Sequence, residues 1–251
     1  NVWCAAGKGT FSTQELVHRV KLSGLEQLVD HHRLIVPQLG ASGISAHRVR
    51  EQCGFSVYYG PIRADDIAAF IDDGWRVNPE MREITFTMKE RAELIPVEFY
   101  LLSKSLWWLL PMMYLLSGIG PDVYSLERLF ARGGALVLAM LVGICSGTIL
   151  VPLLLPWLPG RSFALKGALT GIGCGALLLL LSRFALSAQE AAGLFLLIAV
   201  ISSYQGMNFT GSTPYTSPSG VEWEMKRAIP LQIGALFVGL ISWLAVPFVM
   251  A

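Results

Sequence analysis

Hydrophobic and polar positions divide the chain into two regions with different patterns. In residues 1–95, short apolar runs alternate with segments whose apolar residues recur three or four positions apart, which is the spacing of a helix. From residue 96 onwards, apolar residues follow one another in long runs with few charges between them. The pattern predicts a polar N-terminal domain, residues 1–95, and a C-terminal domain of membrane-spanning helices, residues 96–251.

The N-terminal domain is predicted to be an α/β domain. Ser12 and Glu15 have the spacing of a helix N-cap and its partner, so a helix is predicted to begin there and to stop near Gly24. Further helices are predicted at residues 45–52 and 65–72, and strands at residues 33–37, 55–59 and 82–87. Strands separated by helices of this length form parallel sheets covered on both faces, so the domain is predicted to be Rossmann-like, or most of such a domain.

The C-terminal domain is predicted to be all-helical and to cross the membrane about five times. The five apolar runs, each close to the ~20 residues that a bilayer core requires, cover residues 99–119, 134–158, 163–182, 186–206 and 229–250. The third run carries four glycines, which either allow close helix packing or are only tolerated. They are Gly167, Gly171, Gly173 and Gly175.

A long polar segment, residues 207–228, is predicted to be a loop between the fourth and fifth spans. It is rich in Ser, Thr, Gly and Pro, but it also contains Phe209, Tyr215 and Trp223. A loop of this length is either functional or disordered, and the spaced aromatic residues favour function.

Each span takes the chain to the other side of the membrane, so locating one segment locates all the others. If the N-terminal domain is cytoplasmic, five spans place residues 207–228 on the cytoplasmic side as well. The positive-inside bias supports this orientation only weakly, because Arg128, Arg132 and Arg183 then fall on the outer side.

Composition narrows the classes of protein. The chain is 53% hydrophobic and 15% charged, which is typical of a membrane protein, and a net charge of +1 gives no reason to expect nucleic-acid binding. The four cysteines, Cys4, Cys53, Cys145 and Cys174, lie far apart, which argues against an iron–sulfur cluster in this chain and against a disulfide framework. Because the chain opens on Asn1 without Met or a signal peptide, it is expected to be a fragment or a processed form.

The opening run N-V-W-C-A-A-G-K-G-T-F holds the first candidate for chemistry, Cys4. Its G-K-G-T resembles part of a phosphate-binding loop, but Val2 replaces the first glycine and Gly9 follows the lysine. A Cys–His catalytic pair is possible in principle, although no spacing selects a partner among the four histidines, which are more often structural. These are His18, His31, His32 and His47.

Two stretches carry a resemblance to a known family. N-V-W-C-A-A-G-K-G-T-F resembles the cap-helix motif of the membrane-bound corrinoid proteins of microbial mercury methylation, and M-N-F-T-G-S-T-P-Y-T-S-P-S-G-V-E-W-E-M resembles a loop of the same family. The N-F-T-G run is also similar to one in the soluble corrinoid iron–sulfur protein of the acetyl-CoA pathway. The resemblance extends over essentially the whole chain. It departs at Ser12, where the family usually has glycine.

The resemblance implies a site for a cobalamin-type corrinoid. Cys4 would be the lower axial ligand of its cobalt, and the neighbouring residues would form the helix that presents it. A thiolate is a soft, strongly donating metal ligand, and small residues let a flat ring approach the backbone. The implied corrinoid-binding residues are Asn1, Val2, Trp3, Cys4, Ala5, Ala6, Gly7, Lys8, Gly40, Ser42, Gly43, Tyr59, Gly60 and Pro61. The implied functional loop is Asn208, Phe209, Thr210 and Gly211.

The resemblance further implies a methyltransferase that passes a methyl group from cobalt to inorganic Hg(II) at the cytoplasmic face of the inner membrane. Its implied partners are a ferredoxin-like reductant with two [4Fe–4S] clusters, a methyl-donor methyltransferase and the membrane lipid. One alternative is a corrinoid methyl carrier for an acetyl-CoA-type acceptor. Another is a membrane transporter or anchored binding protein, which would place charged or polar groups deep inside the spans.

Overall fold

The computed structural model describes residues 2–182, 184 and 186–249, and the side chains of Trp3, Cys4 and Pro218 lie outside that description. The chain divides into two compact units, Asn1–Thr85 and Phe86–Ala251. The division therefore falls before Phe86, whereas the sequence pattern places it after residue 95.

The first unit mixes short helices with a small parallel sheet. Its helices are α1 (Val2–Gly7), α2 (Thr13–Leu22), α3 (Leu25–Leu28), α4 (Ala46–Cys53) and α5 (Ile67–Asp72), and its strands are β1 (Arg33–Pro37) and β2 (Ser56–Gly60). Single turns of 3-10 helix occupy Gln38–Gly40, Ala64–Asp66 and Pro79–Arg82.

The predicted start of α2 is confirmed. The Ser12 hydroxyl accepts a hydrogen bond from the backbone N–H of Glu15 at 3.4 Å, and the chain turns at Gly24, where φ is +59°. The exposed Arg19 guanidinium donates a hydrogen bond to the Glu15 carboxylate at 2.7 Å and holds the pKa of that carboxyl below its usual value. The first turn of α2 is thus stabilised by its own side chains.

The β1–α4–β2 unit is the centre of the first unit, and its parallel pairing is confirmed. The register runs from Arg33↔Ser56 to Pro37↔Gly60, with α4 as the crossover. On one face of the sheet, Val36 packs with Val17 of α2 and Val49 of α4. On the other face, the Tyr58 and Trp75 rings lie 4.9 Å apart.

The predicted third strand, residues 82–87, is wrong. Residues 79–82 form a 3-10 turn, and residues 83–87 are irregular. The apolar residue at the centre of that alternation, Ile84, stays 48% exposed, so pairing would bury little there. Thr87 instead caps the next helix. The described residues therefore hold a two-stranded parallel sheet in this unit, and a Rossmann-like domain is not established.

The second unit is a bundle of five helices that are long and apolar enough to cross a membrane, as the sequence predicts. They are α6 (Met88–Leu116), α7 (Leu126–Cys145), which a π-helical turn at Ser146–Leu150 joins to α8 (Val151–Leu154), α9 (Phe163–Leu181), α10 (Ala188–Asn208) and α11 (Pro218–Val249). A small antiparallel hairpin, β3 (Ile119–Gly120) and β4 (Val123–Tyr124), connects α6 to α7.

Several helices extend beyond their apolar runs. Thr87 and Glu90 form a complete capping box, so α6 begins well before residue 99. The predicted loop at residues 207–228 is wrong as drawn, because α10 continues to Asn208 and α11 begins at Pro218. Backbone hydrogen bonds form a helix whether its side chains are polar or apolar, so these helices continue into polar residues at their ends.

Helix α10 is the centre of the bundle and packs against α7, α9 and α11. Of the two alternatives for the α9 glycines, close helix packing holds at Gly167 and Gly171. A Cβ atom at Gly171 would lie 2.7 Å from the Ser202 side chain, whereas one at Gly173 would meet nothing within 4 Å. Only some of the predicted glycines are therefore needed for helix contact.

Candidate functional site

The candidate site starts from helix α1, which the following residues tie into a compact turn. The backbone N–H groups of Gly9 and Phe11 donate to the carbonyls of Ala6 and Ala5, at 3.2 and 3.0 Å. Gly9 has φ +77°, which only glycine adopts readily, so it reverses the chain after α1. Ala6 is 5% exposed and faces the rest of the unit.

Helix α1 packs on the loop that follows β1, residues 38–45. A Cβ atom at Gly43 would lie 2.9 Å from the carbonyl oxygen of Ala6, and one at Gly40 would lie 2.6 Å from the Phe11 ring. Neither glycine has a positive φ. Close packing against Ala6 and Phe11 therefore accounts for both glycines, and turn geometry does not.

Thr13 fastens the same loop to the start of α2. Its N–H donates to the Gly43 carbonyl at 3.1 Å, and its hydroxyl accepts from the Ser45 N–H at 2.9 Å. Phe11 and Thr13 are structural partners of the site that sequence reasoning missed. Because their contacts span about thirty residues of chain, no local spacing reveals them.

The residues predicted at the end of β2 divide between two roles. The Tyr59 hydroxyl donates to the Ile44 carbonyl at 2.6 Å and so ties the loop at residues 38–45 to β2. Gly60 and Pro61 are buried, and a Cβ atom at Gly60 would lie 2.7 Å from the Ile35 side chain. The structure brings Tyr59 to the loop and places Gly60 in the interior, while Ser42 is exposed at the loop tip.

Cys4 belongs to α1 by its backbone, but its side chain and that of Trp3 lie outside the described residues, as does Asn1. Positions 4 and 6 of a helix are separated by about 200° around its axis, so position 4 is not on the helix face that contains buried Ala6. The next residues, Ala5 to Gly7, carry no group larger than a methyl, and Gly7 and Lys8 are exposed. The donor type and the small backbone neighbours both fit a soft metal in a flat macrocycle.

Three of the four histidines have local contacts in the first unit. His31 accepts a hydrogen bond from the Arg33 N–H at 3.4 Å, His32 lies 5.1 Å from the Phe55 ring, and His47 lies 3.1 Å from Glu51 on the same helix. These contacts fit the structural reading of the histidines.

The N-F-T-G run lies at the end of α10 and is packed, not free. Phe209 is 1% exposed in a cluster with Val151 and Phe163. The Thr210 carbonyl accepts hydrogen bonds from the hydroxyls of Thr213 and Thr216 at 3.2 and 2.9 Å. Asn208 and Gly211 are exposed. The turn at residues 209–217 is therefore folded by its own hydroxyl groups.

Charged residues brace the same end of the bundle. Buried Arg91 donates to the carbonyls of Pro152 and Leu153 at 3.0 and 3.2 Å. Buried Glu224 accepts from the Ala164 N–H at 2.6 Å and so caps α9. Sequence reasoning missed both, because it placed them in the soluble domain and in a loop.

The chain matches no protein family, no curated protein and no solved structure.

Proposed function

We propose that this protein is a corrinoid-dependent methyltransferase of the cytoplasmic membrane that methylates Hg(II), with Cys4 as the lower axial ligand of the corrinoid cobalt. The docking of α1 on residues 38–45 supports this most directly. Gly43 lets α1 lie against the loop at the carboxyl end of β1, and Gly40 leaves room there for the Phe11 ring. Open α/β sheets bind ligands at the carboxyl ends of their strands. In this proposal β1–α4–β2 is part of a Rossmann-like corrinoid-binding domain.

Each residue of the opening helix has a role in this account. The Cys4 thiolate holds the cobalt and donates electron density to it. Ala5 and Gly7 keep the helix surface flat, while Ala6 anchors the helix to the unit. A corrinoid held there would supply methyl-transfer chemistry, for which electrophilic Hg(II) is a suitable acceptor.

The loop beneath α1 sets the position of Cys4. Gly43 allows α1 to approach, Gly40 leaves room for the Phe11 ring, and the Tyr59 hydroxyl holds the loop in place by donating to the Ile44 carbonyl. Ser42, exposed at the loop tip, is placed to contact the cofactor or its nucleotide tail. A shift of this loop would move the cysteine relative to the sheet edge.

The chemistry requires partners. The wide spacing of the four cysteines leaves the return of electrons to an external reductant, which we assign to a ferredoxin-like protein with two [4Fe–4S] clusters. A separate methyltransferase supplies the methyl group. The five apolar helices hold the protein in the membrane lipid.

The proposal predicts loss of mercury methylation when Cys4 is replaced. The full-length protein and its reductant would be expressed in cells exposed to Hg(II), and methylmercury would be measured for wild type, Cys4→Ala and Cys53→Ala. Cys53 is a matched control, because its half-buried thiol donates to the Val49 carbonyl at 3.2 Å within α4 and packs at the edge of the core. Cys4→Ala should fall to background and Cys53→Ala should keep activity. Equal activity of the two variants would contradict the proposal.

Transport is the second candidate, and buried polar side chains between the helices favour it. However, although the buried Oε1 atom of Gln232 has no donor among the described residues, several of these groups form hydrogen bonds between helices. The Gln232 Nε2 donates to the Ser203 hydroxyl at 2.9 Å, and Ser202 donates to the Gly167 carbonyl at 2.6 Å. Such hydrogen bonds hold membrane helices together. Uptake of Hg(II) by proteoliposomes that lack any corrinoid would support transport over methyl transfer.

A further inference from the structure

A pocket of about 410 Å³ with both charged and apolar walls opens at the end of the bundle where α7 and α10 begin and α11 ends. Arg128, Arg132, Asp122 and Glu190 line it, and Val246 and Pro247 form an apolar side. This is the end opposite to the start of α6. Its arginines are the ones that weaken the positive-inside argument, so their environment needs a physical explanation.

Arg132 is built into the wall of the pocket. It is 8% exposed, its Nε donates to the Glu190 carboxylate at 2.7 Å, and its Nη2 donates to the Trp243 carbonyl. Its guanidinium also lies 4.5 Å from the centre of the Trp243 ring. Its third nitrogen, Nη1, is buried without an acceptor anywhere in the described chain.

Arg128 also lines the pocket, and it too has guanidinium nitrogens without hydrogen-bond acceptors among the described residues. Its Nη1 donates to Asp122 at 3.2 Å, while its Nε and Nη2 are buried and have no acceptor among the described residues. A Cβ atom at Gly120 would lie 2.7 Å from the guanidinium carbon. The hairpin therefore makes room for this side chain and holds it in place.

Three nitrogens with five N–H bonds thus point to an acceptor that the described chain does not supply. Leaving charged donors buried and unpaired is destabilising, so native proteins rarely do it. Each guanidinium already has one carboxylate partner, so a ligand is attracted by directed N–H groups more than by net charge. The positive N-terminal ends of α7 and α10 add to the attraction of an anion.

We propose that this pocket binds a phosphate group through Arg128 and Arg132, either that of a lipid headgroup or free phosphate. Guanidinium groups match phosphate oxygens in geometry and charge. The inference is independent of the proposed methyl transfer. It also explains why arginines occur at this end of the bundle: they are held by Asp122, Glu190 and Trp243 to form a site.

The test measures how ligands raise the melting temperature, Tm, of the full chain in detergent, because a ligand that binds only the folded state raises Tm with its concentration. The probes are inorganic phosphate at constant ionic strength, phosphatidylglycerol, and diacylglycerol of the same chain length, which lacks the phosphate. The variants are Arg128→Gln and Asp122→Asn. Arg161→Gln, which removes an exposed arginine from the loop before α9, is the control.

For the phosphate-bearing probe that binds, Arg128→Gln should weaken binding about tenfold, since it removes hydrogen bonds to a charged group. Asp122→Asn should tighten it, because it frees Nη1 of Arg128 and removes a competing charge. Asp122 is 80% exposed, so this variant should fold even if Arg128→Gln does not. Arg161→Gln should match wild type.

A response to phosphatidylglycerol alone identifies the lipid headgroup as the source, and a response to inorganic phosphate identifies the free anion. The proposal is overturned if neither raises Tm, or if diacylglycerol acts as strongly as phosphatidylglycerol. It is also overturned if Asp122→Asn binds no more tightly than wild type.

Discussion

Gly43 determines how closely α1 approaches the loop beneath it. The residue does not need a positive φ, so its requirement comes only from the space between two backbones. A methyl group there would meet the carbonyl oxygen of Phe11 first and that of Ala6 at 2.9 Å. Backbone atoms cannot swing aside as a side chain can, and α1 must therefore move or detach.

Gly43→Ala is predicted to loosen α1 without unfolding the rest of the first unit. Overpacking of this kind costs roughly 1–3 kcal/mol, so amide hydrogen exchange at Phe11 and Thr13 should accelerate by a factor of about 5 to 150. Ser42→Ala changes the neighbouring exposed residue and should leave exchange unchanged. Equal exchange in the two variants would show that α1 does not depend on this close approach.

Residue roles at the site were only partly predictable from the sequence. The Ser12 cap was predictable because its partner is three residues away. The role of Tyr59 in holding the loop was not, because its hydroxyl reaches a carbonyl fifteen residues earlier along the chain. The packing roles of Phe11 and Thr13 were not predictable for the same reason, since their contacts lie about thirty residues away along the chain.

At the scale of elements, apolar runs in the sequence identified buried segments. A buried segment is not always a regular helix or strand, and a helix can extend beyond its buried residues. β1 and β2 were predictable because their apolar residues are buried by α2 and α4. Residues 82–87 have a similar pattern, yet Ile84 remains exposed and no strand forms. Conversely, α11 continues through polar residues before its apolar run, where Glu224 caps α9.

The α9–α10 contact gives a prediction with a control on the same helix. Gly167→Ala should destabilise the bundle by roughly 1–3 kcal/mol, because a Cβ atom there would lie 2.8 Å from the Ser203 Cα atom. Gly173→Ala should be neutral or slightly stabilising, since its Cβ atom meets nothing within 4 Å and alanine favours helix. Thermal unfolding in detergent measures both. A lower Tm for Gly173→Ala than for Gly167→Ala would contradict this packing.

At the scale of the whole molecule, the number of apolar helices was predictable, because length and hydropathy alone set it. The pocket between Arg128 and Arg132 was not, because it joins the starts of α7 and α10 to the end of α11. Arg128 and Arg132, which the sequence offers only as a topological signal, are paired in the structure with Asp122 and Glu190.

The proposed function depends on one interaction, in which the Cys4 thiolate would ligate the cobalt of a corrinoid. The most direct test is the ultraviolet–visible spectrum of the full-length protein purified with a corrinoid, for wild type, Cys4→Ala and Cys53→Ala. The account predicts a sulfur-ligated cobalt spectrum in wild type and Cys53→Ala that Cys4→Ala loses. If no corrinoid binds, or if the Cys4→Ala spectrum matches wild type, Cys4 is not the ligand and the methyltransferase account loses its central residue.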